Sequence, residues 1–237
     1  AGLLHDVGKV CIRATHERQR HSILGAEFIR SFLADTEADK QLLRCIKYHH
    51  GRELSGAGLD IDGLAYVIYE ADNIAAGADR REAEGDLNDR GAKFDSDLCL
   101  ENIFNVFSGD AEPSYFSLRE LDAMKKENFP HGNKSIATQG QYASIMRYME
   151  KNFRMKSPIS MEENELLRIL EDTLIYVPSS TNTEEHADIS LYDHMKMTGA
   201  TAAVLMKYMK TLGSTDYKGF CFTHNKENRN KDVFLMI

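Results

Sequence analysis

The sequence predicts a mainly α-helical domain followed by the start of an α/β domain. Three observations carry that expectation. Apolar residues recur at the three-and-four spacing of a helix through most of the chain. Strand-like runs are short, and two of them, 219–222 and 233–237, close the sequence. Five of the nine histidines, His5, His21, His49, His50 and His194, fall at expected helix ends or beside small residues, where side chains can converge on one cleft.

In chain order, residues 1–10 read as a short helix carrying His5 and Asp6, followed by a polar, basic segment with Arg13, His16, Arg18 and Arg20. From His21, the positions Ile23, Leu24, Phe28, Ile29, Phe32 and Leu33 outline one buried face, and Gly25 lets another backbone come close. Leu42, Leu43, Ile46 and Lys47 continue a second helix that stops at Gly51, placing His49 and His50 at its C-terminal end. Residues 51–58 read as a glycine-punctuated loop. Asp62 opens a third helix through Leu64, Val67, Ile68, Ala71, Ile74 and Ala75, and Asp72 inside it needs a partner if it is to be buried. Residues 79–97 are charged and have no apolar period, as a mobile linker does.

Beyond it, residues 98–107 form a short apolar segment, and Tyr115, Phe116, Leu118 and Leu121 suggest irregular or strand structure. Two more helices are expected near 139–153 and 162–176, then a polar loop around 178–185. The stretch Asp188, Ile189, Ser190, Leu191, Tyr192, Asp193, His194 opens a last helix whose Gly199, Ala200, Ala202 and Ala203 allow close packing of another helix.

The totals exclude several classes. A net charge of −8 over 237 residues rules out a uniformly basic nucleic-acid coat, so an anionic substrate has to be held locally by cations or a metal. Cys11, Cys45, Cys99 and Cys221 form no close pair, which argues against a zinc knuckle or a disulfide framework and fits a reducing cytoplasm. No apolar run approaches the roughly 20 residues of a spanning helix, and no signal peptide is recognisable. With Ala1 at one end and an apolar run at the other, the chain is expected to be a piece of a longer protein.

His5 and Asp6, then His21, His49, His50 and Asp72, are spread over successive expected helices. Imidazole and carboxylate donors together suit first-row divalent ions, and six or seven such ligands suffice for two. This order, with His-Asp first, a His ahead of a glycine-containing helix, a His-His pair and a distal Asp, resembles the HD superfamily of metal-dependent phosphohydrolases. That family usually begins with another histidine-bearing helix, whereas only four residues precede His5 here. The helix at His194 can supply it, which makes this a circularly permuted HD domain.

The permutation, together with the stretch 188–194 and a following strand, resembles the large subunit of type III CRISPR effector complexes, specifically type III-A (Csm). The resemblance covers about residues 1–210; it is strongest over 3–9, 48–51, 70–79 and 188–198 and weak across 96–183. It implies HD core helices and linker in 1–97, an insertion in 98–185, a helix completing the permuted domain in 186–212, and the first strands of a palm-like domain in 213–237. It also implies a metal-dependent single-stranded DNase, switched on when the complex with its guide RNA and other subunits binds target RNA. On this reading His5, Asp6, Asp72 and His194 surround one ion, His21, His49 and His50 hold a second, and Asp6 bridges them. The metal is one or two ions of Mn, Ni, Co, Fe or Mg.

Lys9 either contacts a substrate phosphate from beside the metals or is a solvated lysine after a turn. Arg13, Arg18, Arg20, Arg80 and Arg81 either track a phosphate backbone or form solvated faces, since Glu17, Glu82 and Glu84 interleave with them. Two rival functions remain open on sequence: an HD-type nucleotide or cyclic-dinucleotide phosphohydrolase, and a non-catalytic HD scaffold. The first lacks a Gly-Tyr-Pro segment after the histidine pair. The second gains if His194 or Asp72 lies far from His5 and Asp6.

Overall fold

The computed structural model describes residues 1–79, 94–108, 113–121, 128–132, 136–183 and 186–222. These form α1 (Gly8–Thr15), α2 (His21–Arg30), α3 (Glu37–Lys47), α4 (Gly51–Gly56), α5 (Leu64–Asp79), α6 (Asn105–Ser108), α7 (Gln139–Met155), α8 (Glu163–Leu174), α9 (Leu191–Leu212) and α10 (Tyr217–Cys221). Among the described residues there is no strand ladder; extended segments meet only in isolated bridges, such as Glu101 with Tyr115 and Pro178 with Ser190. No helix among them is long and apolar enough to cross a membrane. All four cysteines are free and buried.

Two apolar cores share the helices. The larger joins α1, α2, α3, α7, α8 and the start of α9 through residues such as Val7, Ile29, Ile46, Met149, Leu170 and Met195. The smaller joins α5, the rest of α9 and α10 through Val67, Ala71, Ala202, Leu205 and Cys221, with Cys45 and Leu54. Phe28, Phe32 and Phe153 bind α2 to α7, with ring centroids 5.2 to 6.4 Å apart. Aromatic pairs at such separations add about 0.5–1.5 kcal/mol each beyond their burial.

Several local expectations are corrected. His5 and Asp6 lie not in a helix but in tight turns ahead of α1, where Leu4 N–H donates to Ala1 C=O and Lys9 N–H to Asp6 C=O. The helix runs instead from Gly8 through the basic segment, because Val7, Val10, Cys11 and Ala14 keep a helical period and are buried. Gly51 does not end a helix but begins one. His50 is extended, with φ −102° and ψ 143°, so the chain turns there and α4 replaces the expected loop. The expected strand at 219–222 belongs to α10, because the Asp216 carboxylate accepts from Gly219 N–H at 2.7 Å and caps a helical turn. The expected strand 233–237 and residues 80–93 of the expected linker lie outside the described residues.

Two glycine contacts set where the chain ends meet. A Cβ on Gly8 would stand 1.8 Å from the His21 carbonyl oxygen and 2.7 Å from Gly25 N, so α1 and α2 touch backbone to backbone as Gly25 suggested. A Cβ on Gly2 would stand 2.7 Å from the Gly199 Cα, so the N-terminal turns lie directly on α9. The first contact brings Asp6 to His21, and the second brings His5 to His194.

Candidate metal centre

Seven side chains from five places in the chain converge between the two cores. His5 and Asp6 come from the turns before α1, His21 from the first residue of α2, and His49 and His50 from the α3–α4 corner. Asp72 lies on α5 and His194 in the first turn of α9. Their donor atoms fall into two groups, each within 4.8 Å internally: His5, Asp6, Asp72 and His194, and His21, His49 and His50. This is the division expected from the sequence, and it places His194 and Asp72 beside His5 and Asp6, the opposite of what a scaffold with dispersed residues would show.

In the carboxylate-bearing group, His5 Nε2 lies 3.4 Å from both Asp6 Oδ2 and Asp72 Oδ1. His194 Nε2 lies 3.0 Å from Asp72 Oδ1 and 3.5 Å from Asp6 Oδ2. Asp6 turns its other oxygen to the imidazole group, with Oδ1 3.2 Å from His21 Nε2 and 3.5 Å from His49 Nε2. A single carboxylate therefore faces both groups. In the second group, His50 Nε2 meets His21 Nε2 at 2.8 Å.

Backbone carbonyls aim two of the rings. His5 Nδ1 donates to Gly2 C=O at 2.8 Å, and His49 Nδ1 to Ile46 C=O at 2.6 Å. Both residues are fully buried. Using Nδ1 as the donor leaves Nε2 to face the cluster, the arrangement typical of metal-ligating histidines. His5 Nε2, His49 Nε2 and Asp6 Oδ1 are buried without a hydrogen-bond partner. Orphaned buried polar atoms are costly. Here all three belong to the two facing groups of donors, and divalent cations would satisfy them, so the residues fit such metals.

The two groups differ in charge. Burial opposes the His5 imidazolium, but the Asp6 and Asp72 carboxylates outweigh it and push its pKa up to about 9. Burial likewise opposes ionisation of Asp6 and Asp72, yet neighbouring cations win: Lys9 and His5 hold Asp6, and His5 holds Asp72, well below the usual carboxylate range. Burial, reinforced by His49 and His21, pushes His50 down to about 2, and burial lowers His21 as well.

The expected peripheral residues take varied places. Lys9 reaches into the centre, with Nζ 2.7 Å from Asp6 Oδ2 while donating to Ser179 C=O at 3.0 Å. The solvated-lysine reading is thereby set aside. Arg13 is not a surface cation: it is buried, donates from Nη1 to Pro178 C=O at 2.9 Å and lies over the Tyr142 ring, because the helical period turns it inward. Arg20 pairs with Glu53 of α4. Arg18 is exposed between α1 and α2, and Arg80 and Arg81 lie outside the described residues. Glu53, Ser179 and the Gly2–Gly199 contact were missed by sequence reasoning, since nothing local marks a residue whose role is to meet a distant backbone.

The helical fold and the donor set define a class, a permuted HD-superfamily domain, and residues 1–77 match the HD domain family. Over 99% of its length the chain is 36% identical to the CRISPR system single-strand-specific deoxyribonuclease Cas10/Csm1 (subtype III-A) of Streptococcus thermophilus, and 32% identical to that of Enterococcus italicus. It covers 30% and 32% of those proteins. Among solved structures, Csm1 of T. onnurineus superposes with a TM-score of 0.65 at 27% identity, over 87% of this chain and 28% of that one. A Csm1–Csm4 subcomplex of the type III-A CRISPR-Csm interference complex superposes with a TM-score of 0.61 at 27% identity, over 87% and 27% of the two chains. The chain is thus similar to Cas10/Csm1 over nearly its whole length and spans about a third of the length of these relatives.

Proposed function

We propose that this chain is the metal-dependent, single-strand-specific DNase domain of a type III-A CRISPR effector complex. The observation that carries the reading is the division of seven donors into two groups that share Asp6. A pair of facing ligand sets around one bridging carboxylate suits in-line phosphodiester hydrolysis. His5, Asp6, Asp72 and His194 would hold one ion and His21, His49 and His50 the other, with Mn, Ni, Co, Fe and Mg the candidate metals. When bound, such ions supply Lewis acidity that lowers the pKa of water and offsets charge on the phosphodiester.

The chain's own residues do the rest. The Gly2 and Ile46 carbonyls fix the rings of His5 and His49. Lys9, partly exposed beside Asp6, is the candidate cation for a substrate phosphate, and the exposed Arg18 is a candidate contact for the strand. Among the described residues no element with the character of a base-reading helix borders the histidines, and cleavage is expected to be indifferent to sequence. The relatives' names support a single-stranded DNA substrate, and the solved Csm1–Csm4 assemblies support Csm subunits as partners; guide and target RNA and a cytoplasmic location complete the proposed complex. The proposed layout keeps HD core helices and linker in 1–97, an insertion in 98–185 and a completing helix in 186–212, while the start of 213–237 supplies α10 to the smaller core rather than a palm strand.

The test replaces His5 and Asp6 by Ala in the assembled complex. Mn²⁺-dependent cleavage of single-stranded DNA should fall by roughly 10³-fold or more, the scale of losing about 4 kcal/mol of transition-state stabilisation. Undiminished cleavage would overturn the reading. Turnover of a cyclic dinucleotide in place of DNA would favour the small-molecule phosphohydrolase.

A further inference from the structure

Of the seven candidate ligands, His194 is the one delivered from the far end of the chain, and its placement depends on the first turn of α9. That turn is held by a short antiparallel contact. Leu191 N–H donates to Val177 C=O at 2.6 Å, Ser179 N–H donates to Ile189 C=O at 2.9 Å, and Pro178 bridges Ser190. Ser190 then caps α9 by accepting from Asp193 N–H, and its carbonyl receives the His194 N–H at 3.1 Å. The segment 177–179 is thus the splint on which the His194 turn is built.

What holds the splint is α1. Arg13 Nη1 donates to Pro178 C=O at 2.9 Å, and Lys9, one turn earlier on the same helix, donates to Ser179 C=O at 3.0 Å. Arg13 is buried and its guanidinium lies 5.6 Å from the centre of the Tyr142 ring on α7. A buried guanidinium stacked on an aromatic ring has few alternative positions, so it fixes the carbonyl it meets. Since α1 directly follows the turns that carry His5 and Asp6, the helix next to two candidate ligands also sets the position of the element bearing a third.

We infer that Arg13 is a positioning residue of the metal centre, which registers His194 against Asp6 and Asp72 by clamping the Pro178 carbonyl. It touches neither substrate nor metal. This rests on the metal-centre reading for its consequence, but not for the clamp itself.

The test is hydrogen exchange followed by mass spectrometry on the full-length subunit, with R13Q and the gentler R13K, without metal and across a Mn²⁺ titration. Losing a hydrogen bond from a charged donor corresponds to about a tenfold rise or more in exchange. R13Q should produce that rise across 188–196 without metal, leave the α3–α4 corner at 47–53 unchanged, and shift to higher Mn²⁺ the protection of 188–196 alone; R13K should fall between. If R13Q does not fold, R13K carries the same comparison at smaller amplitude. A uniform rise over α1, α5 and α9, or none at 188–196, would overturn the inference and mark Arg13 as ordinary core. If Mn²⁺ protects neither segment in the wild type, the metal reading fails while the metal-free exchange still judges the clamp.

Discussion

The two halves of the centre contrast in origin and in charge. The imidazole half, His21, His49 and His50, is drawn from 30 consecutive residues, 21–50, and Arg20 with Glu53 ties its two elements just outside. The carboxylate half draws His5, Asp6, Asp72 and His194 from nearly the whole chain, through two glycine contacts and the splint at 177–179. Electrostatically they pull in opposite directions. Carboxylates hold a proton on His5 up to about pH 9, whereas burial among other imidazoles keeps His50 neutral down to about pH 2. One half holds two carboxylates and a His5 that must give up its proton to a metal, while in the other burial favours neutral His21 and His50. Unequal metal affinities follow from this difference, the anionic half attracting a dication more strongly.

The most damaging way to break the contrast is to damage both halves at once. G8A would force a Cβ into the His21 carbonyl, which cannot yield without separating α1 from α2. Because Asp6 precedes α1 and His21 opens α2, both ligand sets lose their shared carboxylate. Overpacking of this kind costs about 1–3 kcal/mol or more. We expect a clear fall in Tm together with loss of Mn²⁺-dependent DNA cleavage in the assembled complex, and a variant with unchanged Tm would show the contact to be compliant.

A more selective pair separates the halves. H194A removes a ligand from the anionic half and H50A one from the neutral half. Calorimetric Mn²⁺ titration of the full-length subunit should show H194A weakening the tighter binding event and H50A the weaker one, each by about 10–100-fold. Equal effects on one event would mean that the centre holds a single ion.

The smallest and most diagnostic effect is on pH. The folded pKa of His5 is raised from 6.5 to about 9, so its stabilisation is complete below pH 6.5 and is lost as pH rises through 9. The folded pKa of His50 is lowered to about 2, so protonating it in the unfolded chain withdraws stability as pH falls below 6.5. Metal-free stability measured by chemical denaturation should therefore peak near the unfolded histidine pKa, falling by about 3 kcal/mol by pH 9 and by about 1.4 kcal/mol per pH unit on the acid side. H5Q should flatten the alkaline limb and H50Q the acid limb. A variant that flattens the wrong limb would invert the contrast between the halves.

Much of this was legible in the sequence because helix periodicity and metal-ligand chemistry are local or compositional. The buried faces of α2, α3, α5, α7, α8 and α9 follow apolar spacing, and the candidate donors stand out by residue type. Errors arose where local patterns compete. Gly51 resembles a helix stop, yet here it opens α4 and packs on the Tyr69 ring. Arg13 resembles part of a basic surface run, yet its position in the α1 period turns it inward. The apolar run at 219–222 resembles a strand, yet the Asp216 cap makes it helical.

By itself, then, the sequence determined the helical class and offered seven candidate donors, because side-chain chemistry and the 3.6-residue period are written residue by residue; the division of those donors between two groups came from the family resemblance. Only the tertiary structure decided how the ends meet: that Gly8 touches His21 and Gly2 touches Gly199, that Asp6 turns one oxygen to each half, and that an arginine expected on the surface instead holds a backbone carbonyl near α9. Those contacts join residues more than 160 positions apart or backbones that carry no side-chain signal, and their energies exist only once the intervening helices have packed.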